Sequence, residues 1–200
     1  MKSFAKKLSF LVCTLALAFP VSASAANITT PTTVNSNSNY VKLSDKQLLS
    51  ETGVTILLQQ NEPLQVEYPD GHIETFTYRV EDTSNANVTK ASGVTKRASV
   101  ERGIMSASLE LWGYATWEGR TVSFDDDVYL DYWGLSTSVE EDDTWVVKRS
   151  ATNSGYAEAR TRGTCTTIEP ITGVEYYTSF DFEMWLDPIN SSQTYIHINK

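Results

Sequence analysis

Residues 104–118 alternate with a period of two. Met105, Ala107, Leu109, Leu111, Ala115 and Trp117 fall on one side, and Ser106, Ser108, Glu110, Trp112, Tyr114 and Thr116 on the other. Successive side chains of a β-strand point to opposite faces, so the pattern predicts a strand with one apolar face and one polar face. Residues 174–187 repeat it. Val174, Tyr176, Thr178, Phe180, Phe182, Met184 and Leu186 oppose Glu175, Tyr177, Ser179, Asp181, Glu183, Trp185 and Asp187. Burying each large apolar side chain stabilises by about 1.5–3 kcal/mol. A slip of one residue would turn the whole apolar set to solvent, so the alternation also pins the register.

Further strands are expected near 121–133, 144–150, 155–166 and 194–198. Glu118-Gly119, Gly134, Asn153-Ser154-Gly155, Pro170 with Gly173, and Pro188 with Asn190-Ser191 separate them. Short strands at fairly regular spacing with turn residues between them predict an all-β, mainly antiparallel fold, a β-sandwich or jelly-roll-like domain over residues 100–200. All five tryptophans lie in that part. In 155–166 the inward set is Ala157, Ala159, Thr161, Gly163 and Cys165, and these small residues leave room for large rings on facing strands. The outward set is Tyr156, Glu158, Arg160 and Arg162.

Upstream, Ser44-Asp45-Lys46-Gln47 has the form of a capping box and Gly53 offers a stop, which predicts a short helix over 45–51. Val54–Gln60 is a β-rich run, and Tyr68-Pro69-Asp70-Gly71-His72 is a turn signal that makes 64–80 a hairpin. Residues 40–80 thus form a helix-plus-hairpin segment. Residues 81–99 lose periodicity and are expected as a linker carrying an exposed dibasic pair, Lys96-Arg97.

The first 25 residues set the compartment. Lys2, Lys6 and Lys7 precede an apolar run from Leu8 to Phe19 that is too short to span a bilayer. Pro20 breaks it, and Ala23-Ser24-Ala25 fits a signal-peptidase site. Cleavage after Ala25 would release a secreted, extracellular chain with a flexible leader, the Thr/Asn/Ser-rich residues 26–39. Loss of the three lysines takes the formal charge from −9 to −12. Such a surface repels phosphate backbones and anionic lipids, so nucleic acid is not expected as a partner. No second apolar segment suggests a membrane span. Cys13 leaves with the signal, and Cys165 is then the only thiol, expected as a small buried hydrophobe.

The polar faces carry the functional expectation. If the registers hold, Trp112, Tyr114, Tyr129, Trp133, Tyr177 and Trp185 share the wet side with Asp, Glu and Ser, and Arg160 and Arg162 supply donors. Exposed rings beside polar groups suit a sugar: the apolar side of a pyranose stacks on an indole while charged groups take the hydroxyls. The competing use of the same rings is a second core layer under a loop or under the 40–80 hairpin. The first reading predicts a non-enzymatic binder of a cell-wall or extracellular glycan, or of a surface protein.

Two other functions have sequence features behind them. A propeptide removed near Lys96-Arg97 would fit a secreted antimicrobial or toxin-like protein. Glu110, Asp181 and Glu183 would give a polysaccharide hydrolase its carboxylate pair. No cofactor is expected. Asp125 and Asp127 share a side of their strand and are the candidate Ca²⁺ ligands, against solvated turn charges for both Asp125–Asp127 and Glu140–Asp143. Neither His72 nor His197 sits in a zinc or metalloprotease spacing.

Overall fold

The computed structural model describes residues 39–48, 53–83, 93–104, 107–135, 137–169 and 171–198. The proposed signal peptide and nearly all of the leader lie outside them. The described residues are mostly strand: β1 (Tyr40–Lys42), β2 (Val54–Gln59), β3 (Leu64–Glu67), β4 (Ile73–Asp82), β5 (Val94–Ile104), β6 (Ala107–Glu118), β7 (Thr121–Gly134), β8 (Thr137–Lys148), β9 (Ser150–Thr152), β10 (Ala157–Ile168), β11 (Glu175–Leu186) and β12 (Gln193–Ile198). The segment expected as a helix over 45–51 is a single helical turn, Asp45–Leu48, and residues 49–52 fall outside the description. Gln47 Oε1 accepts from the Ser44 amide at 2.9 Å, which ties back the start of that turn.

The strands form two sheets. One has the order β1-β3-β4-β5-β6-β7-β9, the other β2-β12-β11-β10-β8. Every pairing is antiparallel except β1 with β3. The predicted turn closes the β3–β4 hairpin: the Tyr68 amide donates to the His72 carbonyl at 2.9 Å, and Gly71 takes φ 87°. A residue with a Cβ is strained at that angle.

The alternation read from β6, β10 and β11 is the observed one. Ala107, Leu109, Leu111 and Ala115 are buried, as are Ala157, Ala159, Thr161 and Cys165, and Phe180, Phe182, Met184 and Leu186. These side chains join Ile56, Leu58, Phe76, Tyr78, Phe124 and Ile196 in one core drawn from both sheets. Polar contacts cross between the sheets at its margin. Trp117 Nε1 donates to the Asp187 carbonyl at 2.9 Å, and the Tyr78 hydroxyl to the Ser191 carbonyl at 3.0 Å. Gly163 is small because its surroundings are full: a Cβ there would come within 2.4 Å of the Glu140 carbonyl and 2.8 Å of Phe180 Cζ.

Four local expectations are corrected. The stretch 81–99 is not an unstructured connection, because β4 runs to Asp82 and β5 starts at Val94. The two pair through Glu81 with Arg97 and Asp82 with Lys96, and only 84–92 lie outside the description. Lys96 and Arg97 are half-buried inside this sheet, between β4 and β6.

The acidic run Glu140–Asp143 is not a turn. It lies in β8, which starts at Thr137 and is the edge of its sheet. The exposed carboxylates of Glu140, Glu141 and Asp143 along this edge strand discourage a foreign strand from pairing there. Finally, Val174 and Tyr176 are exposed despite their inward parity. The described part of β12 reaches Ile198, opposite Phe182, and the start of β11 lies beyond it.

Candidate functional site

The outward face of the seven-stranded sheet is built from rows of neighbours. Arg79, Ser99, Trp112 and Tyr129 form one row, and Thr77, Glu101, Glu110 and Asp131 the next. Ser108 and Trp133 follow beyond them. Glu110 is held by two bonds from Arg97, Nη1 at 3.1 Å and Nη2 at 3.0 Å. Burial pushes its carboxyl up, but the hydrogen bonds and positive charge of Arg97 outweigh burial and hold it below the usual carboxylate range. Arg79 pairs with Glu101 at 2.6 Å.

Trp112 is the centre of this face. Its Nε1 donates to Asp131 Oδ2 at 2.8 Å, and the Arg97 guanidinium lies 4.6 Å from its ring centroid. Tyr129 packs on it at 4.8 Å and Tyr114 meets it edge-on at 5.8 Å. Trp112 is therefore half-covered by its own neighbours. Tyr114, Tyr129 and Trp133 are the exposed rings, with Trp133 at 46 %.

The outward face of the five-stranded sheet carries the other residues. Arg160 forks onto Asp181, Nε at 2.8 Å and Nη2 at 2.5 Å, with Glu183 Oε1 at 3.4 Å from Nη1. The bonds to Asp181 raise the guanidinium's already high pKa. Arg160 and Arg162 flank Trp145 at 5.5 Å and 5.6 Å. Trp185 stacks between Tyr156 at 5.7 Å and His197 at 5.1 Å, and its Nε1 donates to Glu183 Oε2 at 2.7 Å. Thr55 Oγ1 holds His197 Nδ1 at 2.8 Å. Burial pushes the Tyr156 hydroxyl up to about 12, and burial also raises the Glu158 carboxyl, helped by Glu183. Tyr177 stands apart, 68 % exposed, on the start of β11.

The expectation of one shared aromatic face is thus corrected. Trp112, Tyr114, Tyr129 and Trp133 belong to one sheet; Tyr177, Trp185, Arg160 and Arg162 belong to the other. Alternation sorts residues into inner and outer faces of their own sheet, but it says nothing about which sheet a strand joins. The same division separates Glu110 from Asp181 and Glu183, so the three carboxylates do not form one group. Trp145, Arg97, Asp131, Tyr156 and His197 are not among the ligand-binding residues the sequence suggests. Their roles depend on cross-strand register, which a single chain's periodicity does not carry.

Asp125 accepts from Thr116 Oγ1 at 2.8 and 2.9 Å and from Thr95 at 3.3 Å. Asp127 is exposed, with Arg149 Nη2 at 3.9 Å. Among the described residues no group of three or more His, Cys, Asp and Glu is placed to hold a metal ion. Cys165 is 1 % exposed, and burial raises its thiol pKa.

One polar cluster lies inside the core. Glu74 takes Arg102 Nε and Nη2, both at 2.9 Å, and the Tyr68 hydroxyl at 2.7 Å. Burial drives the Tyr68 hydroxyl upward and keeps it protonated. Arg102 Nη1 has no hydrogen-bond partner among the described residues. No described helix is long and apolar enough to cross a membrane. No protein-family model, curated protein or solved structure matches the chain.

Proposed function

We propose that this is a secreted, non-enzymatic β-sandwich protein that holds an extended, neutral glycan along the outward face of the seven-stranded sheet. The observation that carries the reading is the line Tyr129–Asp131–Trp133 on β7. Two exposed rings share one side of a strand, with a carboxylate between them that is already fixed by Trp112. Four residues of strand span about 13 Å at about 3.3 Å per residue, long enough for rings to meet separate sugars of one chain.

Asp131 and Glu101 offer acceptors to sugar hydroxyls, and their charge disfavours uronic acids and other anionic sugars. Trp112 serves here as a support for Tyr129 rather than as a stacking surface. Arg97, held on Glu110 and Trp112, is prepaid in orientation, which lowers the ordering cost of binding. The sandwich description rests on the shared core of the two sheets. Secretion rests on the N-terminal sequence.

The test is a pull-down of the mature chain, residues 26–200, on cellulose, chitin and peptidoglycan. The paired substitution Tyr129→Ala/Trp133→Ala should weaken retention at least tenfold on the glycan that binds. Tyr177→Ala, on the other sheet, should leave retention unchanged. Failure of the native protein to bind any of the three, or equal binding by the pair variant, would overturn the reading.

A further inference from the structure

The exposed apolar residues are not scattered evenly. Leu135 and Ile171, 75 % and 91 % exposed, lie in the β7–β8 connection between the sheets and in the turn of the β10–β11 hairpin. Tyr132, Trp133, Tyr176 and Tyr177 stand just behind them and are exposed as well. Register puts these two connections at one end of the molecule. β8 begins at Thr137, two residues after Leu135, and Thr137 pairs with Thr167. Ile168 then pairs with Glu175 across the turn that carries Ile171. Two backbone bonds close the second turn: the Gly173 amide donates to the Glu169 carbonyl and the Glu169 amide to the Val174 carbonyl, both at 2.9 Å.

We propose that this end docks on a phosphatidylcholine bilayer surface. Exposed apolar area of this kind marks an interaction site. Aliphatic side chains at the tips with Tyr and Trp behind them match the depth order of a bilayer interface, where aromatic rings sit at headgroup level. The second turn, closed by these two bonds, brings fewer unpaired backbone groups into that layer.

Charge selects the headgroup. No Lys or Arg occurs from 121 to 147 or from 163 to 198, while Asp131, Glu169 and Glu175 lie in or beside the tips. The Tyr177 hydroxyl donates to Glu175, placing a ring and a carboxylate side by side. Aromatic faces with a nearby anion hold a quaternary ammonium such as choline, and they repel an anionic headgroup. The proposal does not rest on glycan binding, since it uses sugar-free vesicles.

Flotation of residues 26–200 with dioleoyl-phosphatidylcholine vesicles, and with vesicles of phosphatidylglycerol, tests it. The expected result is recovery with the phosphatidylcholine vesicles and at least tenfold less with phosphatidylglycerol. Leu135→Glu/Ile171→Glu should lower phosphatidylcholine recovery at least tenfold while leaving the unfolding midpoint and any polysaccharide retention in place. Three outcomes overturn the proposal: no recovery of the native protein above background, equal recovery of the double variant, or stronger binding to phosphatidylglycerol. Concentration-dependent dimerisation abolished by the double variant, without vesicle binding, would assign the same end to self-association instead.

Discussion

Replacing Arg102 by Met should be among the most damaging single changes in the core. Its guanidinium is buried and is bonded twice to Glu74, which is itself 2 % exposed. Taking away one partner leaves an uncompensated charge in the interior, at a cost of about 3–5 kcal/mol. Glu74→Leu strands Arg102 by the same argument and also removes the acceptor of the Tyr68 hydroxyl, adding about 1–3 kcal/mol. The double variant Glu74→Leu/Arg102→Met is different in kind. It removes both charges, and replacing a buried pair by apolar groups is often neutral or stabilising by about 1–4 kcal/mol. Arg102 Nη1 lacks a partner among the described residues, so the native pair is incompletely satisfied and the double variant has less to lose. What remains is the Tyr68 hydroxyl, which Tyr68→Phe removes. Urea unfolding followed by tryptophan fluorescence gives the four corners of the cycle. The double variant should be more stable than either single variant, with a coupling of several kcal/mol. A double-variant loss equal to the sum of the two single losses would refute the reasoning.

Other outcomes follow from the same contacts. Glu110 has a folded pKa held below its unfolded value of about 4.3, so its contribution is complete above that value and is lost as pH falls through the folded pKa. The stability gap between the native protein and Glu110→Gln should therefore be steady from neutral pH down to about 5 and shrink below it; a gap unchanged at pH 3 would contradict the assignment. Cys165 should react with a thiol reagent only at the rate of unfolding, and labelling in the folded protein as fast as in urea would show that it is not enclosed. Intact mass of the exported protein should correspond to a chain starting at Ala26. A start at Ala98 would instead show cleavage after Arg97, which requires opening β5 between its two partners.

The sequence carried the inner faces well. Leu109, Leu111, Phe180, Phe182 and the small residues of β10 alternate because each strand has one dry side. It carried the sheets poorly. Trp112 and Trp185 have the same outward parity, yet they lie on different sheets, because pairing is decided between strands far apart in the chain. β8 starts well before the expected 144–150 because an edge strand tolerates the charges that mark a turn elsewhere. Arg102 shares its parity with Val100 and Ile104, but nothing local shows that Glu74, 28 residues away, would meet it.

The most direct test of the central claim is amide chemical-shift mapping of residues 26–200 with cellohexaose and chitohexaose. The account predicts saturable shifts with one or both, centred on Tyr129, Asp131 and Trp133 of β7 and on their β6 neighbours, and absent from β10 and β11. Shifts confined to the Arg160–Trp185 side, or none that saturate, would contradict it.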